Sequence, residues 1–131
     1  MASVRGIKLG LTGLTLAAAL FSGLVGARAP ADAPDRVAPI SVSEIPVPGA
    51  QTYELIARGG PFPSEKDGTV FGNRERLLPA KPRGYYREYT VKTPGLNHRG
   101  TRRIVCGGES RRPDVCYYTA DHYASFRMIV R

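Results

Sequence analysis

The sequence has 131 residues and a formal net charge of +8, and it contains two cysteines. A chain of this length holds one modest domain at most. The basic charge is typical of a protein that binds and releases an anionic polymer, with plain solubility as the alternative explanation.

The first 31 residues predict a secretory signal. Arg5 and Lys8 precede an apolar run over residues 9–25, and small residues between positions 25 and 31 offer cleavage sites. A membrane anchor is the less favoured alternative, because polar and glycine residues interrupt the run and about 20 strongly apolar residues are needed to span a bilayer. We therefore expect a secreted, extracellular protein that keeps no stable membrane association after processing.

Residues 32–45 predict a spacer, because the stretch rich in Pro, Ala and Asp can bury little apolar surface. The folded domain is assigned to residues 46–131. Without the three basic residues of the signal, 16 basic and 11 acidic residues remain, so the net charge after export is +5.

One helix is predicted in this domain. Residues 50–58 place Tyr53, Ile56 and Ala57 at helical spacing, and Gly59 and Gly60 end the segment. Strand patterns follow at residues 69–71, 85–91, 102–106, 115–119 and 125–130. Because consecutive strands are joined by short connections, we expect an α+β domain with the helix packed on one face of a twisted antiparallel sheet. The other face is then free for a functional site.

The two cysteines, Cys106 and Cys116, predict a disulfide. An even count in an exported chain favours pairing, and the residues between them have turn chemistry. The bond would join two neighbouring strands and stabilise the domain by about 2 to 3 kcal/mol. A zinc site is disfavoured because the paired spacing of zinc ligands is missing from the sequence.

A carboxylate, a histidine and arginines are sufficient to cleave RNA without a metal or another cofactor. The 2′-hydroxyl of RNA is the nucleophile, so the reaction needs a base, an acid for the departing 5′-oxygen and cations for the phosphate. Glu88 fits the base, because its position in mid-strand fixes its direction. His122 fits the acid, since an imidazole ordinarily titrates near neutral pH. Arg99 and Arg103 fit the phosphate through bidentate hydrogen bonds, whereas Arg102 alternates with Arg103 and should face the opposite side.

Residues 71–75, with the sequence FGNRE, predict a compact loop. Successive backbone N–H groups in such a turn can point at one acceptor, and a neighbouring carboxylate can accept from two adjacent donors. Guanine presents that pattern, and an aromatic ring can pack beside the base.

Each of these features also has a purely structural explanation. Glu88 fits a solvated strand face or a partner for an arginine, and the arginines fit a basic edge that resists aggregation. His122 fits a turn residue bonded to Asp121, and FGNRE fits an ordinary turn containing asparagine. The residues alone leave these alternatives open.

The motifs DGTVFGNRE, YYREYTV, RGTRR and DHY stand in an order and spacing that resemble the microbial guanyl-specific extracellular ribonucleases, the barnase-like family, and in particular its smallest members. The resemblance covers about 80 residues, from Tyr53 to Ile129. It implies the microbial ribonuclease fold and cleavage of single-stranded RNA on the 3′ side of guanosine, through a 2′,3′-cyclic phosphate that is then hydrolysed.

The resemblance also implies roles for individual residues. In the catalytic group, Glu88 matches the general base, His122 the general acid, and Arg103 and Arg99 the phosphate-binding arginines. In the substrate-binding group, Glu75 matches the carboxylate that reads guanine, Phe71 the aromatic beside the base, and Tyr123 an aromatic that contacts the phosphate. The loop whose backbone meets guanine O6 corresponds to Gly72, Asn73 and Arg74.

Two departures from the family are visible. Relatives often carry a side chain where this sequence has Gly72. Relatives also tie the N-terminal segment to the C-terminus or lack a disulfide, whereas Cys106 and Cys116 are close in sequence.

Two rival functions remain: a toxin that acts on competing cells, and a non-catalytic RNA-binding module. The module is disfavoured because Glu88 and His122 are both present. By analogy with the family, a barstar-like acidic protein inhibitor is an implied partner, and the enzyme is expected to be a monomer.

Overall fold

In the computed structural model of the chain, residues 37–131 are described. They form strand β1 (Pro39–Ser41), a 3-10 turn (Val42–Glu44), helix α1 (Val47–Arg58) and strands β2 (Thr69–Val70), β3 (Tyr86–Thr90), β4 (Arg103–Gly108), β5 (Pro113–Thr119) and β6 (Arg127–Val130). The domain is therefore α+β, as predicted, and each of the five predicted strands is present with shifted ends.

The six strands form one sheet in the order β1-β6-β5-β4-β3-β2. Strands β2 to β6 pair antiparallel, as the short connections predicted. At one edge the sheet is extended by β1, which pairs with β6 in parallel. The sheet is therefore mixed, since β1 and its neighbour β6 run in the same direction.

Strand β1 and the 3-10 turn lie inside the stretch that the sequence assigns to a spacer. Ile40 is buried, and it belongs to the core beneath the helix. The folded part therefore begins no later than Pro39, before the expected start at residue 46. The predicted signal and residues 32–36 of the spacer lie outside the described residues. Within residues 37–131, no helix has the length and apolarity needed to cross a membrane.

Helix α1 starts at Val47, three residues before the predicted position, because Pro48 in its first turn is pre-organised for a helix. It ends as predicted at Gly59, which adopts a left-handed φ of 83° and donates its N–H to the carbonyl of Ile56. Ile56 is the most deeply buried helical residue and packs in a core with Tyr89, Ile104 and Ile129. This core fixes the helix on one face of the sheet.

The opposite face carries a second core that the sequence analysis did not anticipate. Tyr86, Val105 and Tyr117 project from three adjacent strands and pack with Leu78 and Phe126 from the loops. Phe71 and Tyr123 pack at the border of this aromatic core. The aromatic core thus covers the centre of the sheet face opposite the helix. A site on this face therefore has room only beside that core.

The disulfide between Cys106 and Cys116 is present and joins β4 to β5 at directly opposed positions. This confirms the predicted link between neighbouring strands. Both sulfurs lie in the core under α1, so the bond braces the sheet on the face away from Glu88.

Candidate active site

A cleft of about 700 Å³ lies at the border of the aromatic core. Three parts of the chain line it: residues 70–75 with Leu77, Glu88 on β3, and residues 122–124. Eight of the ten predicted catalytic and substrate-binding residues are among the lining residues, namely Phe71, Gly72, Asn73, Arg74, Glu75, Glu88, His122 and Tyr123. The other two, Arg99 and Arg103, both contact Glu88. The structure therefore brings the whole predicted set together.

Glu88 lies between the two arginines. Its Oε1 accepts a hydrogen bond from Arg99 Nη2 and lies 3.9 Å from Arg103 Nε. Arg99 Nε also donates to Thr90 Oγ1 over 2.8 Å, and Thr90 shares the strand face of Glu88. Glu88 is thus the partner of an arginine, as its structural explanation predicted. The same side chain also lines the cleft.

Arg103 is held more rigidly than Arg99. Its side chain is 3% exposed, whereas that of Arg99 is 29% exposed. Arg103 Nη1 donates to the carbonyls of Gly100 and Arg102, each over 2.9 Å. Its Nε is buried and makes no hydrogen bond of standard geometry within residues 37–131. One donor of a fixed cation therefore remains available beside Glu88.

Tyr123 supplies a second donor of this kind. Its ring lies 4.8 Å from that of Phe71 and 5.9 Å from the guanidinium carbon of Arg103, centroid distances typical of aromatic and cation–π contacts. Its hydroxyl is buried and, in the part of the chain that the structure describes, makes no hydrogen bond of standard geometry. Burial and the neighbouring Glu88 carboxylate raise the pKa of Tyr123 to about 12, so the hydroxyl keeps its proton at neutral pH.

A tight turn presents His122 to the cleft. His122 and Tyr123 have left-handed φ angles of 56° and 73°, which bulky residues seldom adopt. The His122 N–H donates to the carbonyl of Thr101, and the Tyr123 N–H donates to Thr119 Oγ1. Since these bonds hold a strained backbone in place, the exposed imidazole leaves the turn in a defined direction.

Asp121 holds the same turn together. Its carboxylate accepts hydrogen bonds from the hydroxyl and backbone N–H of Ser125 and from the hydroxyl of Thr119. The hydrogen bond from the Ser125 hydroxyl is the main cause of a lowered pKa at Asp121, although desolvation acts in the opposite direction. The suggested bond from Asp121 to His122 is not among the hydrogen bonds of the described residues.

The loop of residues 71–75 is closed by the side chain of Asn73. Its amide donates to the carbonyl of Leu78 and accepts from the Leu78 N–H, and Asn73 itself has a left-handed φ of 53°. Within the described range, the backbone N–H groups of Asn73, Arg74 and Glu75 donate to no acceptor. The loop therefore presents free backbone donors next to the Glu75 carboxylate.

Several residues of the site were missed from the sequence. Val70, Leu77 and Ala124 line the cleft, Thr90 anchors Arg99, and Asp121 braces the turn. Strand alternation would have found Thr90, which shares a face with Glu88. The apolar lining residues carry no sequence signal of their own. Nowhere in residues 37–131 do three or more His, Cys, Asp or Glu side chains gather as a metal would require.

Known proteins resemble this chain over most of its length. A family model described as ribonuclease matches residues 28–130. Guanyl-specific ribonuclease Sa of Kitasatospora aureofaciens is 52% identical over 90 residues, which cover 69% of this chain and 91% of that protein. Guanyl-specific ribonuclease Sa3 of the same organism is 53% identical over 90 residues, and the matched region spans 69% of this chain but only 62% of that longer protein.

The fold also matches solved structures. Ribonuclease Sa2 in complex with mononucleotides superposes with a TM-score of 0.68 and 46% sequence identity, covering 72% of this chain and 95% of that one. A second structure of ribonuclease Sa2, with guanosine-2′-cyclophosphate, gives a TM-score of 0.65 over 72% of this chain and 96% of that one, again at 46% identity.

The lowered pKa of Asp121 predicts a pH-dependent contribution to stability. Its folded pKa lies below the unfolded value, so the ionised form favours folding. This contribution is complete above the ordinary carboxyl pKa of 3.8 and is lost as pH falls through the lower folded value. Asp121→Asn should therefore lower stability at pH 7 by less than about 1 kcal/mol, since the group is exposed, and the gap to wild type should narrow as pH falls below 3.8.

Urea denaturation of both proteins between pH 2.5 and pH 7 measures this gap. Glu109→Gln, which alters an exposed carboxylate in the β4–β5 turn, is the matched control and should stay near wild type throughout. A gap for Asp121→Asn that is equally large at pH 2.5 and pH 7 would show that the carboxylate charge is not involved.

Proposed function

The chain belongs to the ribonuclease family, and from this premise we propose that it is a guanyl-preferring endoribonuclease that cleaves single-stranded RNA on the 3′ side of guanosine. The observation that carries the proposal is the convergence of Glu88, His122 and two arginines in one cleft with the loop of residues 71–75. The reacting groups and the base-binding loop thus face the same space.

In the first step, the 2′-hydroxyl of guanosine attacks the adjacent phosphorus. Glu88 accepts the proton of this hydroxyl, and His122 donates a proton to the departing 5′-oxygen of the next nucleotide. One P–O bond forms and one breaks, which leaves a 2′,3′-cyclic phosphate and a free 5′-hydroxyl. The enzyme is therefore a lyase in this step.

In the second step, water opens the cyclic phosphate. His122, now neutral, accepts a proton from the water, and the protonated Glu88 returns its proton to the 2′-oxygen. The product is a 3′-phosphate, and both side chains return to their starting states. No metal or cofactor enters either step.

The cations beside Glu88 stabilise the phosphate as charge develops on its oxygens. Arg103 Nε and the Tyr123 hydroxyl are buried donors with free hydrogen-bonding capacity, so they can donate to phosphoryl oxygens once the arriving phosphate has displaced the side chains that cover them. Arg99 is more exposed and is paired with Glu88, so an arriving phosphate competes with the carboxylate for its guanidinium. That exchange frees Glu88 to act as a base.

Guanine recognition is assigned to the loop of residues 71–75. The free N–H groups of Asn73, Arg74 and Glu75 suit the O6 acceptor, and the Glu75 carboxylate suits the N1–H and N2 donors of the base. The ring of Phe71 lines the same cleft and supplies a packing face.

We further propose export and protein inhibition. The predicted signal in residues 1–31 supports a secreted enzyme, and a disulfide such as Cys106–Cys116 persists in oxidising compartments. The basic residues around the cleft suit an acidic, barstar-like inhibitor that would protect the producing cell, and the free enzyme is proposed to act as a monomer.

The assigned acid and base predict a bell-shaped pH dependence of kcat/KM for a guanylyl dinucleotide. Activity should fall at low pH as Glu88 becomes protonated and at high pH as His122 loses its proton. Glu88→Gln should lower kcat/KM by about 10² to 10³ and remove the acidic limb, and His122→Ala should do the same for the alkaline limb. EDTA should leave the wild-type profile unchanged.

These profiles are read by spectrophotometric cleavage assays, with circular dichroism to show that each variant is folded. An alkaline limb that survives in His122→Ala would refute the role of His122. Strong inhibition by EDTA would refute the metal-free mechanism.

Replacement of Glu75 should change base preference more than overall chemistry. Glu75→Ala removes charge-assisted hydrogen bonds to guanine, so kcat/KM for GpC should fall by about 10- to 100-fold while that for ApC stays nearly constant. The ratio of the two rates is the measurement, and Glu109→Ala, a carboxylate outside the cleft, is the control. A ratio unchanged in Glu75→Ala would remove Glu75 from base recognition.

A further inference from the structure

Arg83 lies beside the base-binding loop of residues 71–75. It is an exposed residue between Leu78 and the start of β3. A Cβ atom at Gly72 would lie 3.9 Å from Arg83 Nη1. The guanidinium therefore reaches the backbone of the 71–75 loop from a separate segment of the chain.

Arg74 reaches the same place from within the loop. Its Nε would lie 4.0 Å from that Cβ position, so Arg83 Nη1 and Arg74 Nε are at most about 8 Å apart, the sum of the two distances. A phosphate that accepts a hydrogen bond of about 2.8 Å at each of two oxygens bridges such a separation. Since position 72 is a glycine, no side chain fills the space between the two guanidinium groups.

The local charge favours an anion. Residues 68–87 contain five basic side chains (Arg74, Arg76, Lys81, Arg83 and Arg87) and one acidic one, Glu75. The ion pairs within residues 37–131 are those of Glu88 with Arg99 and Arg103, so neither Arg74 nor Arg83 is neutralised by a carboxylate there. Two neighbouring cations without a counter-charge are stabilised when a phosphate binds between them.

We propose that Arg83 and Arg74 form a second phosphate subsite, which binds a phosphate of the RNA strand other than the one that is cleaved. The scissile phosphate is assigned to Arg99, Arg103 and Tyr123, whereas Arg83 flanks the cleft at Gly72 without lining it. Because Arg83 lies next to Gly72 of the 71–75 loop, a strand whose guanine occupies this loop has a phosphate-binding pair within reach at the rim of the cleft. The inference rests on the proposed function and extends substrate binding from the guanosine to the RNA strand on which it lies.

Substrate length tests the subsite. GpC carries only the scissile phosphate, whereas a hexanucleotide with a single internal guanosine carries others. Arg83→Ala should leave kcat/KM for GpC within about twofold of wild type and lower that for the hexanucleotide about three- to fivefold at low salt. For the hexanucleotide, the slope of log kcat/KM against the logarithm of the salt concentration should be shallower in Arg83→Ala by about 0.7. This is the value for one phosphate contact on a single strand.

Two further variants separate a local contact from general charge. Arg83→Lys keeps the charge and should recover part of the hexanucleotide rate. Arg58→Ala removes an equivalent exposed cation from α1, on the other face of the sheet, and should leave the preference for the longer substrate unchanged. Equal losses on GpC and on the hexanucleotide, or no loss on either, would overturn the subsite.

A binding measurement keeps this inference distinct from the proposed function. A fluorescent hexanucleotide with 2′-deoxyguanosine cannot form the cyclic phosphate, so its affinity reports binding alone. Arg83→Ala should weaken this affinity by the same three- to fivefold factor, measured by fluorescence anisotropy. If the wild-type protein cleaves no RNA but binds this probe more tightly than Arg83→Ala does, the proposed function fails and the subsite stands. Equal affinity of wild type and Arg83→Ala overturns the subsite.

Discussion

The site is organised by the charge of one buried arginine. Arg103 is almost inaccessible to solvent, and a buried guanidinium costs several kcal/mol unless a carboxylate and hydrogen-bond acceptors compensate it. Two carbonyls and Glu88 provide that compensation. The register of β3 against β4 makes the contact, because Arg103 stands opposite Thr90 and Glu88 follows two residues away on the same face. A slip of one residue would turn Arg103 toward the helix, so the charge cluster and the sheet register depend on each other.

The rest of the cleft follows from the aromatic core beside this cluster. Phe71 and Tyr123 pack against each other at the border of that core and also line the cleft, so the same contacts stabilise the domain and position the residues to which we assign base and phosphate binding. The loops around them are held by side-chain hydrogen bonds, from Asn73 in one and from Asp121 in the other. Strain is concentrated at His122 and Tyr123, where two consecutive left-handed residues aim the imidazole into the cleft.

Local sequence patterns were sufficient for most of the fold, and together with the family resemblance they named the residues that the structure gathers around one cleft. The period of two in residues 85–91 placed Glu88 and Tyr89 on opposite faces, and the RGTRR motif located Arg99 and Arg103. The features that were missed depend on partners distant in sequence. Strand β1 is three residues long and starts with proline, and it is recognisable only through its pairing with β6 at the other end of the domain. A partner arginine for Glu88 was among the predictions, but that Arg99 is the closer one depends on how the connection between β3 and β4 folds back. The left-handed turn at His122 has no signal, because bulky residues rarely adopt it.

The most direct test of this account is the identity of the cleavage product. The mature protein is incubated in EDTA with an RNA oligonucleotide that contains one guanosine, and the fragments are identified by mass spectrometry beside those from a Glu88→Gln, His122→Ala double variant. The account predicts one fragment that ends in guanosine 2′,3′-cyclic phosphate and one that begins with a 5′-hydroxyl, both lacking in the double variant. Cleavage that leaves a 5′-phosphate, or products that persist in the double variant, would contradict the roles of Glu88 and His122.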